Sequence, residues 1–288
     1  MGGVVADLPR KIPHFLCLSM LMGCLDEMLE APYVLATGLG EASDLTPTAA
    51  ASMFVASNTG LWDVSGSGVA RQMWTHPTEK VSTHIDRVWF LADGFLWQAP
   101  FPISSGASPF QRVVEVPGAV DVVAGCDDQV IIATADTISV WDGKQMVKWA
   151  DSLNDVQGLS LGPSDPCGGV LAISPRAVLR VTPQDVTAFQ AKPTRELQSA
   201  RVGAIDAQGA LWVIDGDSLG EVTRSGWRHF ASHLEEATAI HFGVGDLFQT
   251  DIAYITTRDG HLEYLQVPAD RSQHLGTVHA PSERETSQ

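Results

Sequence analysis

Four cysteines are the side chains whose type and spacing bear most directly on covalent chemistry. Two of them, Cys126 and Cys167, are 41 residues apart, and each stands shortly before an apolar run. A disulfide between them needs Cα atoms within about 7 Å, so the fold would have to place their two loops side by side. A pair of buried free thiols is the alternative that the sequence leaves open.

A third cysteine ends an apolar run near the N-terminus. The run Phe15–Gly23 follows a short basic stretch, is too short to span a bilayer and has the length of a signal-peptide core. It closes on Leu21-Met22-Gly23-Cys24, which resembles a bacterial lipobox. We therefore expect residues 1–23 to be a lipoprotein-type signal peptide and Cys24 to carry the lipid.

The lipobox resemblance also predicts where the mature chain is located. Residues 24–32 would form a tether, and the lipid on Cys24 would hold the protein at a membrane. Leu25 rather than Asp follows Cys24, so we expect an outer-membrane lipoprotein of the cell envelope, either periplasmic or surface-exposed. An ordinary export signal with an incidental cysteine is the alternative. Export would place Cys126 and Cys167 in an oxidising compartment.

Other motifs of enzyme chemistry are missing from the sequence. The nine histidines form no His-Glu-x-x-His pair, and the cysteines form no Cys-x-x-Cys pair. The stretch Ser65–Gly68 lacks the Gly-x-Ser-x-Gly frame of a nucleophile elbow. The net charge is −16, from 18 basic and 34 acidic residues. Because binding to a phosphate backbone relies on Lys and Arg, this acidity argues against a nucleic-acid partner.

The elements that must position any site are revealed by apolar runs at nearly equal spacing. The runs begin at Met53, Val88, Val130, Val170, Leu211 and Ile252, so the intervals are 35, 42, 40, 41 and 41 residues. Each is followed by a turn and a second run, which is typical of a β-hairpin. Further runs before and after bring each unit to four strands. The pattern predicts an all-β fold, a six-bladed β-propeller with four-stranded antiparallel blades, with a β-sandwich as the alternative.

The ends of the chain suggest how such a propeller closes. The run Tyr33–Thr37 precedes the first unit at the distance of an outer strand, and we expect it to complete the sixth blade. Leu275–Val278 competes for the same position. The predicted propeller therefore covers residues 33–280, and the polar residues 281–288 form a flexible tail.

The turns and the links between blades are rich in charged residues, and in a propeller they emerge on one face. These charges favour a polar recognition face, although Asp and Gly are also the ordinary residues of turns. The set includes Asp93, Asp136, Asp151, Asp215, Asp217, Glu235, Glu236, Asp259, Arg176, Arg195 and Arg258.

Two stretches resemble a known propeller family. Val202–Val213 contains an Asp-x-x-Gly turn before Leu-Trp-Val, and residues 241–260 are similar to a closing blade. Both resemble the six-bladed propellers of the gluconolactonase/senescence-marker-protein-like type, most clearly over residues 156–267. The resemblance supports the six-bladed fold and implies a lactonase-like activity.

The family resemblance also implies a divalent metal, calcium or zinc, at one mouth of the central channel. Its ligands there are a Glu, two Asn and an Asp, and oxygen ligands suit a cation that polarises a lactone or activates water. Glu41 matches the Glu, and Asn154, followed by Asp155, serves as a ligand if the strand register shifts by three. Gln157 stands in place of an Asn and Arg201 in place of the Asp. Arginine cannot ligate a cation, so we expect Gln157 and Arg201 to line a binding site at the channel mouth.

Two functions are therefore compatible with the sequence. The first is an exported, lipid-anchored propeller that acts as a non-catalytic module without a cofactor, binding a protein or a small-molecule ligand at one face. The second is a metal-dependent, lactonase-like hydrolase that uses calcium or zinc on Glu41, Asn154 and Asp155. Whether the protein is an enzyme stays open at this point.

Overall fold

The structure is a computed structural model, and it describes residues 32–48, 50–103, 109–126, 128–161, 169–189, 197, 199–206, 208–223, 226–243 and 252–267. The predicted signal peptide with Cys24, the tail and Leu275–Val278 therefore lie outside the described residues. In the described part of the chain, there is no helix long and apolar enough to cross a membrane.

The described part of the chain forms 24 β-strands and no helix. A single strand, β1 (Tyr33–Ala36), comes before the first complete unit. The first unit consists of β2 (Ala42–Pro47), β3 (Ser52–Ser57), β4 (Gly60–Ser65) and β5 (Ala70–Trp74). The second consists of β6 (Lys80–His84), β7 (Arg87–Ala92), β8 (Phe95–Pro100) and β9 (Gln111–Glu115). The third consists of β10 (Ala119–Ala124), β11 (Val130–Thr134), β12 (Ile138–Trp141) and β13 (Met146–Ala150).

The remaining units repeat the same order. The fourth consists of β14 (Gly158–Leu161), β15 (Val170–Ser174), β16 (Ala177–Val181) and β17 (Val186–Ala188). The fifth consists of β18 (Ala200–Ile205), β19 (Leu211–Asp215), β20 (Ser218–Thr223) and β21 (Gly226–Ala231). The sixth has β22 (Ala237–Phe242), β23 (Ile252–Thr257) and β24 (Leu262–Gln266).

These strands make six four-stranded antiparallel sheets, which confirms the predicted six-bladed propeller. The sixth sheet takes its fourth strand from the beginning of the chain, because β1 pairs with β24. Tyr33 lies opposite Tyr264, and their rings stack with centroids 5.3 Å apart. The prediction that Tyr33–Thr37 completes the last blade is therefore confirmed for β1.

The apolar runs found in the sequence are the second strands of the blades. Both faces of a second strand pack against neighbouring blades, so nearly every position is buried rather than every other one. In β3 and β15, all residues are buried, including serines at the strand ends. A continuous apolar run is therefore typical of a second strand. This explains why the nearly equal spacing of the blades can be recognised in the sequence.

The first strands of the blades surround the central channel. Each of β2, β6, β10, β14, β18 and β22 lies beside the first strands of the two adjacent blades. Four of these six strands contain an irregularity in their pairing near the start, at Ala42/Asp44, Ala119/Asp121, Ala200/Val202 and Ala237/Ala239. Such β-bulges leave one residue unpaired and redirect its side chain.

Candidate functional site

Six equivalent positions, one per blade, form a ring inside the channel. Each is the residue of the first strand that lies opposite the penultimate residue of the second strand. We call these six residues the inner ring: Asp44, Lys80, Asp121, Gly158, Val202 and Ala239. Blades one to three thus contribute two carboxylates and an ammonium, whereas blades four to six contribute small or apolar groups.

The two inner-ring carboxylates connect neighbouring blades. Asp44 Oδ2 accepts a hydrogen bond of 2.9 Å from the backbone N–H of Val81 in the second blade. Asp121 Oδ2 accepts one of 2.6 Å from the N–H of Leu159 in the fourth blade, and its Oδ1 accepts one of 2.7 Å from Val122. Hydrogen bonds to a charged acceptor are shorter and stronger than neutral ones. These carboxylates therefore help to hold the blades in register around the channel.

Lys80 lies between these carboxylates in the ring but does not contact them directly. Within the part of the chain that the structure describes, its Nζ makes no hydrogen bond and no ion pair within 4.0 Å. Its side chain is half-buried and lines the channel. An ammonium carries three donors, and Nζ is not among the buried polar atoms without a partner, so it is open to the channel. Lys80 is thus a charged group with no hydrogen-bond acceptor among the described residues.

The three charges shift one another's titration. Burial, reinforced by the charge of Asp121 and opposed by Lys80, raises the pKa of Asp44 to about 7. Burial also raises the pKa of Asp121, against the opposing effects of Lys80 and the two backbone hydrogen bonds. For Lys80, burial alone would lower the pKa, but the two carboxylates outweigh it and raise the pKa. Near neutral pH, Asp44 is therefore close to half-protonated while Lys80 stays charged.

The inner ring forms one end of a cavity of about 470 Å³ that continues along the channel to Thr48, His84 and Ile85. The next ring of equivalent positions is Thr46, Ser82, Val123, Ser160, Ala204 and His241. Hydroxyl groups thus line the side of blades one, two and four. The side of the fifth blade is apolar, and burial lowers the pKa of His241 on the sixth. The cavity therefore has a polar wall and an apolar wall.

A second cavity, of about 460 Å³, lies at the start of the first strands, and we call it the mouth cavity. Its charged lining consists of Glu41, Glu79, Arg201 and Arg258. The backbone N–H of Glu41 donates to Asn58 Oδ1 over 2.9 Å, and its side chain is exposed. The backbone just before Glu41 lies close to Gly260. A Cβ at position 260 would lie 2.3 Å from the carbonyl oxygen of Gly40, so only glycine permits this approach.

Arg201 lines the mouth cavity, but its guanidinium is held by the backbone. Nη2 donates to the carbonyls of Gly216 at 2.6 Å and Leu234 at 3.1 Å, and Nη1 donates to that of Glu235 at 3.2 Å. Arg201 is the unpaired residue of the bulge in β18, which directs its side chain toward the link between blades five and six. Burial, followed by the charge of Arg258, lowers the pKa of Arg201, and Glu236 opposes the shift.

The two other predicted metal ligands and the predicted channel-mouth residue Gln157 lie elsewhere on the same face. Asn154, Asp155 and Gln157 belong to the link between blades three and four, and all three are exposed. Gln157 Nε2 donates to Asp155 Oδ1 over 2.6 Å. The structure therefore brings Glu41 and Arg201 to one cavity, whose lining includes none of these three residues. Among the described residues, no group of three or more His, Cys, Asp or Glu side chains is placed to hold a metal ion.

Cys126 is disulfide-bonded in the structure. Cys167 lies outside the described residues, as does Cys24, so the pairing of Cys126 with Cys167 and the lipidation of Cys24 stay predictions.

The inner-ring charges were not among the residues singled out from the sequence. A signal exists for Asp121, which interrupts the apolar run Val120-Asp121-Val122-Val123, whereas Lys80 follows Glu79 and interrupts no such run. Aligning the first strands of all blades would place both charges at one level of the channel. The bulges obscure this alignment, since they shift the count by one residue in four of the six blades.

Comparison with known proteins supports the fold. No known family profile and no curated protein sequence matches the chain. Among solved structures, a presumptive gluconolactonase superposes with a TM-score of 0.65 at 13% identity, over 82% of this chain and 91% of its own. The gluconolactonase XC5397 from Xanthomonas campestris superposes with a TM-score of 0.59 at 14% identity, over 85% and 93%. The WD40 propeller domain of Doa1 gives 0.62 at 10% identity, over 85% and 99%. At such identities the likeness establishes the propeller fold alone.

Proposed function

We propose that this protein is a non-catalytic binding or scaffold module that uses the face around the mouth cavity to bind a protein or a small-molecule ligand. The observation that carries the proposal is the guanidinium of Arg201, which donates to three backbone carbonyls beside that cavity. The family resemblance expects a metal-binding carboxylate at this position. A fixed positive charge there opposes a divalent cation instead of holding it.

The remaining residues of the expected metal site do not compensate for this arginine. Glu41 shares the mouth cavity with two arginines, Arg201 and Arg258, whereas Asn154 and Asp155 do not line it. A calcium or zinc site of the lactonase type therefore does not fit the residues present, and we propose no resident cofactor. The mixture of exposed Glu41, Glu79 and Arg258 suits recognition of a partner that carries both charges.

Lactone turnover with added metal tests this function against the lactonase alternative. The mature protein would be assayed with a panel of sugar lactones in calcium and in zinc, next to Glu41→Gln. Glu115→Gln, an exposed glutamate on the outer strand β9, is the matched control. We expect no metal-dependent turnover above the spontaneous rate. Turnover that requires metal, disappears in Glu41→Gln and persists in Glu115→Gln would establish the hydrolase instead.

We also propose that the propeller is exported and anchored at the outer membrane through a lipid on Cys24. The support is the lipobox-like sequence Leu21-Met22-Gly23-Cys24 after an apolar run of signal-peptide length. Mass spectrometry of the native N-terminus tests it directly. We expect a mature chain that starts at a diacylated Cys24 and a Cys24→Ala variant that leaves the membrane fraction. An unmodified Cys24, or cleavage at another residue, would refute the anchor.

A further inference from the structure

The channel cavity carries a second recognition site that is separate from the mouth cavity. Its polar end is formed by the alternating charges of Asp44, Lys80 and Asp121, which come from three successive blades at one level. Both carboxylates already accept backbone hydrogen bonds. The ammonium of Lys80, in contrast, has no hydrogen-bond acceptor among the described residues. The donor group of the inner ring that has no described acceptor therefore faces the cavity.

The signs of the charges restrict what can supply that partner. A simple anion that reached Lys80 would also face the carboxylates of Asp44 and Asp121 and be repelled by them. A simple cation bound by those carboxylates would face the ammonium. A molecule that carries both charges close together can place its anionic group at Lys80 and its cationic group at the carboxylates. Each carboxylate oxygen still has a lone pair for an additional donor.

The walls of the cavity restrict the rest of the ligand. Val202, Ala204 and Ile205 of the fifth blade form an apolar wall opposite the hydroxyls of blades one and two. A volume of about 470 Å³ lies within the range of about 300–1,000 Å³ that is usual for small-molecule sites. The cavity thus combines a two-signed polar end with room for an apolar side chain.

We propose that the central channel binds a small zwitterion with an apolar side chain, of the α-amino acid class. The ligand carboxylate lies at Lys80, its ammonium lies at Asp44 and Asp121, and its side chain lies along the wall of the fifth blade. The site goes beyond the function proposed for the mouth face, since it uses neither Glu41 nor Arg201.

Calorimetric titration of the mature protein with L-leucine, L-valine, L-methionine and L-phenylalanine tests the proposal. We expect saturable 1:1 binding of at least one of them. For that amino acid, the matching amine without a carboxylate and the matching acid without an ammonium should each bind at least tenfold more weakly. A titration with myo-inositol, which carries hydroxyl groups and no charge, distinguishes recognition of charge from recognition of hydroxyl groups.

Variants assign the binding to the inner ring. Lys80→Met should weaken binding at least tenfold, whereas Lys148→Met, an exposed lysine on β13, should leave it unchanged. The ligand analogues keep the proposal testable even if Lys80→Met does not fold. The proposal is overturned if no amino acid of the panel binds at millimolar concentration, or if an analogue or myo-inositol binds as tightly. The result is independent of the metal and lactone assays, so the two proposals fail separately.

Discussion

Two cations at adjacent levels of the same channel have opposite surroundings. Arg201 at the mouth donates to three carbonyls of its own chain, whereas Lys80 in the inner ring donates to no group among the described residues. Arginine presents a rigid fork of donors that suits several fixed carbonyls, and lysine presents a compact charge on a flexible stem. A positive charge in a channel is therefore not by itself a binding group. Its hydrogen-bond partners decide whether it holds the fold together or remains available to a ligand.

Among the charged residues of the channel and its mouth, Asp44 is expected to have the largest effect on the free energy of unfolding, through its titration. Its pKa is about 7 in the folded protein, with burial as the main cause, and about 3.9 in an unfolded chain. The folded state therefore binds this proton more tightly, so Asp44 lowers stability progressively as the pH rises from about 4 to 7. A shift of this size corresponds to a cost on the order of 4 kcal/mol above pH 7.

Asp44→Asn removes that titration, with Lys80 and Asp121 as the charged groups that face it. The unfolding free energy of the variant minus that of the wild type should therefore increase between pH 5 and pH 8. Urea unfolding at both pH values measures it. A difference that stays constant, or that falls with pH, would show that Asp44 titrates normally.

Arg201→Met is expected to lower the free energy of unfolding by about 2–4 kcal/mol. It removes three hydrogen bonds from a charged donor and leaves carbonyls of the link between blades five and six without a partner. Arg176→Met, at an exposed arginine, should change stability by less than about 0.5 kcal/mol. Denaturant unfolding of the two variants provides the measurement. Equal stabilities would mean that the carbonyl contacts contribute nothing.

Asp121→Asn is expected to lower stability by about 1–2 kcal/mol at pH 8. Both oxygens of Asp121 accept backbone hydrogen bonds, and an amide can replace only one of them, so either Val122 or the buried Leu159 loses its acceptor. The loss is reduced because the substitution also removes a charge near Asp44. Loss of amide-exchange protection at the N–H of Leu159 or Val122 would locate the effect. Unchanged protection at both would contradict the proposed bridge between blades three and four.

Lys80→Met is expected to have the smallest effect, about 1 kcal/mol of destabilisation at pH 6. It removes no hydrogen bond to a described residue, and the two neighbouring carboxylates can take up protons as their pKa values rise further. The destabilisation should be greater at pH 8, where both carboxylates must stay charged without the ammonium. Unfolding at the two pH values checks this. A cost as large as that of Arg201→Met at pH 6 would give Lys80 a structural role like that of the arginine.

The sequence predicts the second strands well and the first strands poorly. β7 and β19 are apolar on both faces, so their period stands out. The first strands of blades one, two and four contain Ser, Thr, Asp or Lys because they face the channel, and no apolar run marks them. In the sequence, the polar residues of a channel-facing strand cannot be distinguished from those of a loop. Only the pairing of the strand in the structure identifies it.

The candidate site was only partly predictable for a related reason. Glu41, just before β2, and Arg201, near the start of β18, reach the same cavity. The meeting of Asp44, Lys80 and Asp121 depends on the register of three strands, two of which contain a bulge. A bulge is a pairing property that apolar periodicity does not reveal.

Isothermal titration with calcium and then with zinc tests whether the mouth is a recognition surface and not a metal site. We expect no saturable 1:1 binding to the wild type and no difference between the wild type and Glu41→Gln. Saturable 1:1 binding by the wild type that Glu41→Gln abolishes, while Glu115→Gln retains it, would contradict this expectation and make the mouth a metal centre despite Arg201.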